Sequence, residues 1–286
     1  MNKFHRSVSD LIASRTSWRS CTGEAIPSEK LQELQQFAQS RTQGLFGDPL
    51  RIELVAAREN DSAELKGLGT YGFIRGASGF LVGAVHREIN NLEDYGRLME
   101  EIVLKATDLD LATCWLGGSF QKDNFSARIQ TQPHEIVPAV VSVGVSAEKR
   151  NFVDRGIRSI AGSRKRKPWP ELFFESNHQT PLTQGAAGGY AEVLDLVRLA
   201  PSASNKQPWR VVQDPQGFHF FLQRTSGYHK PRLFSDLQRV DMGIASCHFE
   251  LACTEFGLPG EWRDIPLQLH IPDFWEYSIS WVPSSK

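Results

Sequence analysis

Residues 94–115 and 241–262 of this chain repeat one another. Laid without a gap, DYGRLMEEIVLKATDLDLATCW over DMGIASCHFELACTEFGLPGEW agree at six of 22 positions, where average residue usage gives about one or two. The pairs are Asp94 with Asp241, Gly96 with Gly243, Leu104 with Leu251, Thr107 with Thr254, Leu111 with Leu258 and Trp115 with Trp262. A repeat of this length points to architectures that use one unit twice. The flanks keep the same order. LQELQQFAQS sets Leu31, Leu34 and Ala38 on one helical face and runs through GDPLRIELVAA into a strand. YAEVLDLVRLAPS has the same spacing and runs into PWRVVQD. Each half then has a long, mostly apolar helix and a closing strand, IVPAVVSVGV in the first and YSISWVP in the second.

Strands separated by long helices predict an α+β protein of two related αβ halves, residues 1–150 and 181–286, with an extended basic connection over 151–180. Two related halves in one chain are what a fused symmetric dimer looks like, a pseudo-dimer. Two αβ units of accidental likeness are the alternative.

A length of 286 residues accommodates two such units with a sizeable core. The net charge of −1 gives no reason to expect nucleic acid or an anionic membrane as partner. The four cysteines form no CxxC pair and no cluster with histidine, so neither a zinc site nor a disulfide framework is expected. MNKFHRSVSDLIASRTS lacks the apolar run of a signal peptide, and no stretch approaches the roughly 18 apolar residues of a membrane span. The expectation is a cytoplasmic protein with free thiols.

The halves differ where they carry polar loops. ASRTSWRSCTGEAIPSEKL in the first half holds Arg15, Ser17 and Arg19 ahead of a helix with Pro27 near its first turn and Ser28 able to cap it. Two guanidiniums with hydroxyls between them suit a phosphate, although such a pair is also an ordinary solvated face. The second half lacks that arm and has APSASNKQPW, where the first has AQSRTQGLFGDP. The connection carries SRKRKP, with Arg164, Lys165, Arg166 and Lys167. It reads as a second arm on the same anion, as a solvated linker, or as a nucleic-acid-binding linker between two αβ domains. In LATCWLGGSF, a Gly-Gly pair follows a helix-like segment and a tryptophan. It either lets bare backbone approach a flat ligand or simply ends the helix.

SRTSWR, APSASNKQPWR, LATCWLGGSF and the late SRKRKP together resemble the FMN-dependent nitroreductase family. The likeness is nearest to a subgroup with two nitroreductase-like halves fused in one chain, to which TYGFIRGASGFLVGAV is also similar. The resemblance implies a flavin site built from both halves. Arg15 and Ser17, with Thr16 between them, would meet the FMN phosphate, and Arg164 and Arg166 would complete that site. Arg19 would stand near the N1 and O2 edge of the ring, and the backbone of Leu116, Gly117 and Gly118 would face N5. Pro201, Ser202, Ala203, Ser204 and Asn205 would cover the ring and ribityl chain.

The resemblance further implies hydride transfer from NAD(P)H through FMN to a nitroaromatic, quinone or similar acceptor, in ping-pong fashion, with no metal and no side-chain acid or nucleophile. Cys114 reads as a packing thiol. The complementary pair of loops has LPGEW for WLGGS and lacks both the arginine arm and the Pro-Ser-x-x-Asn pattern, so one FMN per chain is expected and a monomer suffices. An FMN-binding or sensing module without turnover is the alternative function.

Overall fold

An unbroken apolar run is the mark of a strand buried on both faces, and GFLVGAVH is one; its residues are buried up to Val85. The computed structural model describes residues 3–47, 50–56, 65, 68–86, 89–147, 165–227 and 235–284. In its first half, α1 (Val8–Ser14), α2 (Ser28–Gln39), β1 (Arg51–Ala56), β2 (Gly79–His86), α3 (Ile89–Asp108), β3 (Leu111–Leu116), α4 (Lys122–Arg128), β4 (Glu135–Ile136) and β5 (Val140–Val145) follow in order. The strands form a sheet in the order β1-β2-β5-β3, antiparallel throughout, with β4 also paired to β2.

The second half contains β6 (Phe173–Glu175), α5 (Gln184–Ala187), α6 (Ala191–Arg198), β7 (Trp209–Asp214), β8 (Gly217–Gln223), α7 (Leu237–Glu255), β9 (Gly260–Arg263) and β10 (Trp275–Pro283). Its sheet runs β6-β7-β8-β10-β9. Leaving aside β6, which pairs parallel to β7, the path β7-β8-β10-β9 is antiparallel and traces the same course as the first sheet. The protein is an α+β structure of two related αβ halves. One apolar core spans both, joining Leu34, Met99 and Ile102 to Val193, Phe220 and Phe249.

The long helices α3 and α7 cross at the two matched glycines. A Cβ on Gly96 would lie 2.0 Å from the Val240 carbonyl oxygen, and one on Gly243 would lie 1.8 Å from that of Glu93. In the repeat, Val240 falls opposite Glu93. Each contact is therefore the image of the other, the reciprocity that marks a two-fold interface. The matched aspartates share a role as well. Asp94 accepts from the Leu45 and Phe46 amides at 2.6 and 2.9 Å, while Asp241 accepts from the Ala203 amide at 2.9 Å. Each ties down the loop that follows the shorter helix of its own half.

Two local expectations are corrected. Ser28 is the first residue of α2; Pro27 holds the cap position, and no side chain caps the helix. The helix-like segment of the repeat stops at Asp108, and LATCWL is strand β3, so the Gly-Gly pair follows a strand and terminates no helix. Within residues 151–180, Trp169–Glu171 forms one 3-10 turn and β6 joins the second sheet.

Candidate functional site

The arginine arm is held in place by the edge of the first sheet. Arg15 ends α1, its amide bonded to the Leu11 carbonyl at 2.8 Å. Beyond it, Ser17 bridges to Thr113 on β3, the Trp18 amide donates to the Thr113 carbonyl at 2.8 Å, and the Arg19 carbonyl accepts from the Arg75 amide at 2.9 Å. This backbone pairing carries Arg15, Ser17 and Arg19 along β3 to the turn at Gly117.

The second-half loop takes a shape that few side chains tolerate. Ser204, Asn205 and Gln207 all have left-handed backbones, with φ of 49, 55 and 47°, a conformation rare outside glycine. Local bonds hold it there. The Gln207 amide donates to Ser202 Oγ at 2.9 Å, and Gln207 Nε2 donates to the Asn205 carbonyl at 3.1 Å. The basic segment zips onto the same loop. Arg166 Nη1 donates to Asn205 Oδ1 at 3.3 Å, Asn205 Nδ2 to the Lys165 carbonyl at 2.8 Å, and the Lys167 amide to Gln207 Oε1 at 2.8 Å.

Arm, loop and glycine turn meet around one cavity of about 380 Å³, a size that suits a small-molecule ligand. Arg15, Ser17 and Arg19 lie on its wall with Leu116, Gly117 and Gly118; Arg166 and the residues from Pro201 to Asn205 close the other side. Thr16 is not on the wall, and Arg164 lies outside the described residues. A Cβ on Gly117 would stand 2.5 Å from Leu237, so the turn presents bare backbone against α7.

Arg166 brings a desolvated positive charge to the cavity wall. Burial, and then the charges of Arg15 and Arg198, push Arg166 down to about 10. Off the wall, next to Gln207, burial lowers Arg210 to about 10, and burial followed by Arg210 lowers Lys167 to about 8. Cations in such surroundings gain from an anion among them. Behind Arg15 stands Glu100, fully buried, with Oε1 at 3.7 Å from Arg15 Nε and 3.1 Å from His248 Nε2. Its Oε2 accepts from the Trp115 indole at 2.7 Å. Glu100 thus fixes two side chains of the cavity wall at once.

Sequence reasoning missed much of the wall: Phe73, Trp115, Ala139, and the face of α7 formed by Leu237, Val240, Asp241 and Ile244. For Asp241 a signal existed, because it is one of the matched pairs of the repeat. The place equivalent to Val240 and Ile244 in the first half holds Glu93 and Arg97. Glu93 pairs there with Arg239 at 2.7 Å and accepts from Ser278 at 2.6 Å, while Arg239 also bonds Glu276. One end of the helix crossing is apolar and opens on the cavity; the other is a buried ion network.

A second constellation has the look of a hydrolytic triad. Asp214 and Ser280 flank His219 at 2.7 and 2.8 Å. His219 and Ser280 are wholly buried inside the second sheet and lie off the cavity wall, so no substrate reaches them. Their bonds tie β7, β8 and β10 together. Among the described residues, no group of three or more His, Cys, Asp or Glu is placed to hold a metal ion, and no helix is long and apolar enough to cross a membrane. Cys114 is buried and in no disulfide.

Comparison with known proteins agrees with the fold. A solved structure from Thermotoga maritima, described as a "putative nitroreductase", superposes with a TM-score of 0.62 at 18% identity, over 99% of this chain and 96% of that one. A structure from Desulfovibrio desulfuricans described as a "putative nitroreductase in complex with fmn" matches 53% of this chain and 95% of its own at 22% identity, with a TM-score of 0.40. None of the curated proteins matches the chain. The model of the family described as "Putative TM nitroreductase" matches residues 7–253, and the chain belongs to that nitroreductase family.

Proposed function

We propose that the chain is an FMN-dependent oxidoreductase of nitroreductase type with one flavin site, built between its halves as in a pseudo-dimer of residues 1–150 and 181–286 joined by 151–180. The observation that carries this reading is the cavity itself. Its wall unites the arginine arm of one half, the strained small-residue loop of the other, and a bare glycine turn. The residues suit the group. A phosphate would relieve the crowding of Arg15 and Arg166, and the turn at Gly117 brings bare backbone to the cavity wall beside Leu237.

Arg15, Ser17 and Arg166 would hold the phosphate, with Arg164 completing it. Arg19 would place its charge at the N1 and O2 edge, and the backbone at Leu116, Gly117 and Gly118 would donate near N5. Pro201 to Asn205 would cover the ring. When bound, FMN supplies the hydride chemistry, taking a hydride from NADH or NADPH and passing it to a nitroaromatic, quinone or similar acceptor in alternation. Phe73, 41% exposed at the cavity wall, offers a stacking surface to such an acceptor. The ion network of Glu93 and Arg239 at the equivalent end of the crossing supports a single site per chain.

Flavin counting and anaerobic reduction test this reading together. One FMN per chain, bleached by NADPH or NADH, is the expected result. Two flavins per chain would refute the half-and-half assignment, and flavin that no nicotinamide reduces would leave a binding or sensing module.

A further inference from the structure

The internal repeat provides its own control for Asp241. Its counterpart Asp94 spends both carboxylate oxygens on its loop, Oδ1 on the Leu45 amide and Oδ2 on the Phe46 amide. Asp241 does the equivalent job with one. Oδ1 accepts from the Ala203 amide, and Oδ2, although buried, has no hydrogen-bond partner among the described residues. A buried polar atom left over in this way calls for an explanation, and this one belongs to a residue on the cavity wall.

The surroundings decide the chemical form of that oxygen. Asp241 is 2% exposed and sits on the apolar face of α7 with Leu237, Val240 and Ile244. Burial raises its carboxyl well above the ordinary range, and the charged neighbour that acts on it, Asp236, is another acid; the Ala203 amide opposes both. From α3, Glu93 and Arg97 face the crossing, but they are paired with Arg239 and Glu250. Arg15, Arg19 and Arg166 share the cavity wall but are not among the groups that act on this carboxyl. A carboxyl so placed keeps its proton and offers an O–H donor.

We propose that Asp241 is a further ligand-binding residue of the cavity, whose Oδ2 hydroxyl donates a hydrogen bond to a carbonyl oxygen or ring nitrogen of the flat ligand bound there. This rests on the flavin reading above. The acceptor atom belongs either to FMN or to the oxidant that stacks on it, since both present such atoms.

The test uses the full chain, freed of flavin and titrated with FMN, as wild type, Asp241→Asn, Asp241→Ala and Asp94→Ala. Asparagine keeps an acceptor for Ala203 and a donor for the ligand, whereas alanine removes both. Asp94→Ala measures the cost of loosening a loop away from the cavity. The expected result is FMN affinity weakened about tenfold or more in Asp241→Ala, near wild type in Asp241→Asn, and unchanged in Asp94→Ala. Wild-type affinity should also fall at high pH, where Oδ2 loses its proton, while that of Asp241→Asn should stay level. If FMN binding is the same in all four, the FMN-loaded proteins are titrated with menadione, followed by its perturbation of the flavin spectrum. A loss confined to Asp241→Ala then assigns the bond to the oxidant. Equal binding of both probes by Asp241→Ala and wild type would overturn the proposal, as would an Asp241→Asn chain as impaired as Asp241→Ala. A wild-type chain that binds no FMN would sink the flavin reading itself.

Discussion

Gly96 rests directly on the backbone of Val240, with no room for even one methyl between α3 and α7. The glycines at this crossing set the distance between the halves. Gly243→Ala would drive a Cβ to 1.8 Å from the Glu93 carbonyl oxygen, and the helices would have to separate. We expect a loss of about 1–3 kcal/mol or more in denaturant unfolding. Gly185→Ala is the matched control, since its nearest neighbour is Thr183 Oγ1 at 4.0 Å, and it should move stability by less than about 0.5 kcal/mol.

Arg15 and Arg166 approach one phosphate in the proposed site. Alanine at either should weaken FMN binding by about ten- to a hundredfold, and the double variant should lose flavin while keeping its circular dichroism, with a lower unfolding midpoint because Glu100 loses a buried partner. Arg166→Lys should recover only part of the affinity, because an ammonium lacks the planar fork. Retention of flavin by the double variant would show the phosphate site to lie elsewhere.

Glu100 answers Arg15, His248 and Trp115 from a fully buried position. Glu100→Ala removes the acceptor and leaves those donors without it. Breaking a buried pair from one side costs about 3–5 kcal/mol, read as a lower unfolding midpoint. Glu100→Gln keeps an oxygen for the indole and should lose less.

Lys167 gives a pH signature. Burial first, and then Arg210 and Lys206, bring its ammonium down to about 8 in the folded chain against Glu171, while an unfolded lysine holds its proton to about 10.4. Between those values the unfolded state binds more protons, so this group's contribution to stability rises with pH. The wild type should gain stability relative to Lys167→Met from pH 8 to 10 in urea unfolding. An equal pH response in both proteins would contradict the assignment.

The repeat in the sequence made the two-halved fold legible, because identical residues at Asp94 and Asp241, or Gly96 and Gly243, serve a helix crossing and loop anchors that both halves need. Patterns local to a few residues were legible too: the spacing of Leu31, Leu34 and Ala38, and the arm from Arg15 to Arg19. What escaped notice depended on distant partners. Gln207 shapes its loop through Lys167, and Glu100 reaches Arg15 and His248 across both halves. No periodicity in the chain announces such bonds. In the sequence the Gly-Gly pair follows what looks like one helix, because LATCWL continues the apolar run of α3. The left-handed residue Asp110 between them breaks the helix without a glycine or proline to mark it.

The unequal ends of the helix crossing bear on what this chain could become. In two identical chains packed about an axis, one codon writes both symmetry-related places, and a change that suits one pocket is imposed on the other. Here Val240 and Glu93 have separate codons. Selection can tune the ligand-facing end for chemistry and the ionic end for cohesion, with neither adjustment copied to the other.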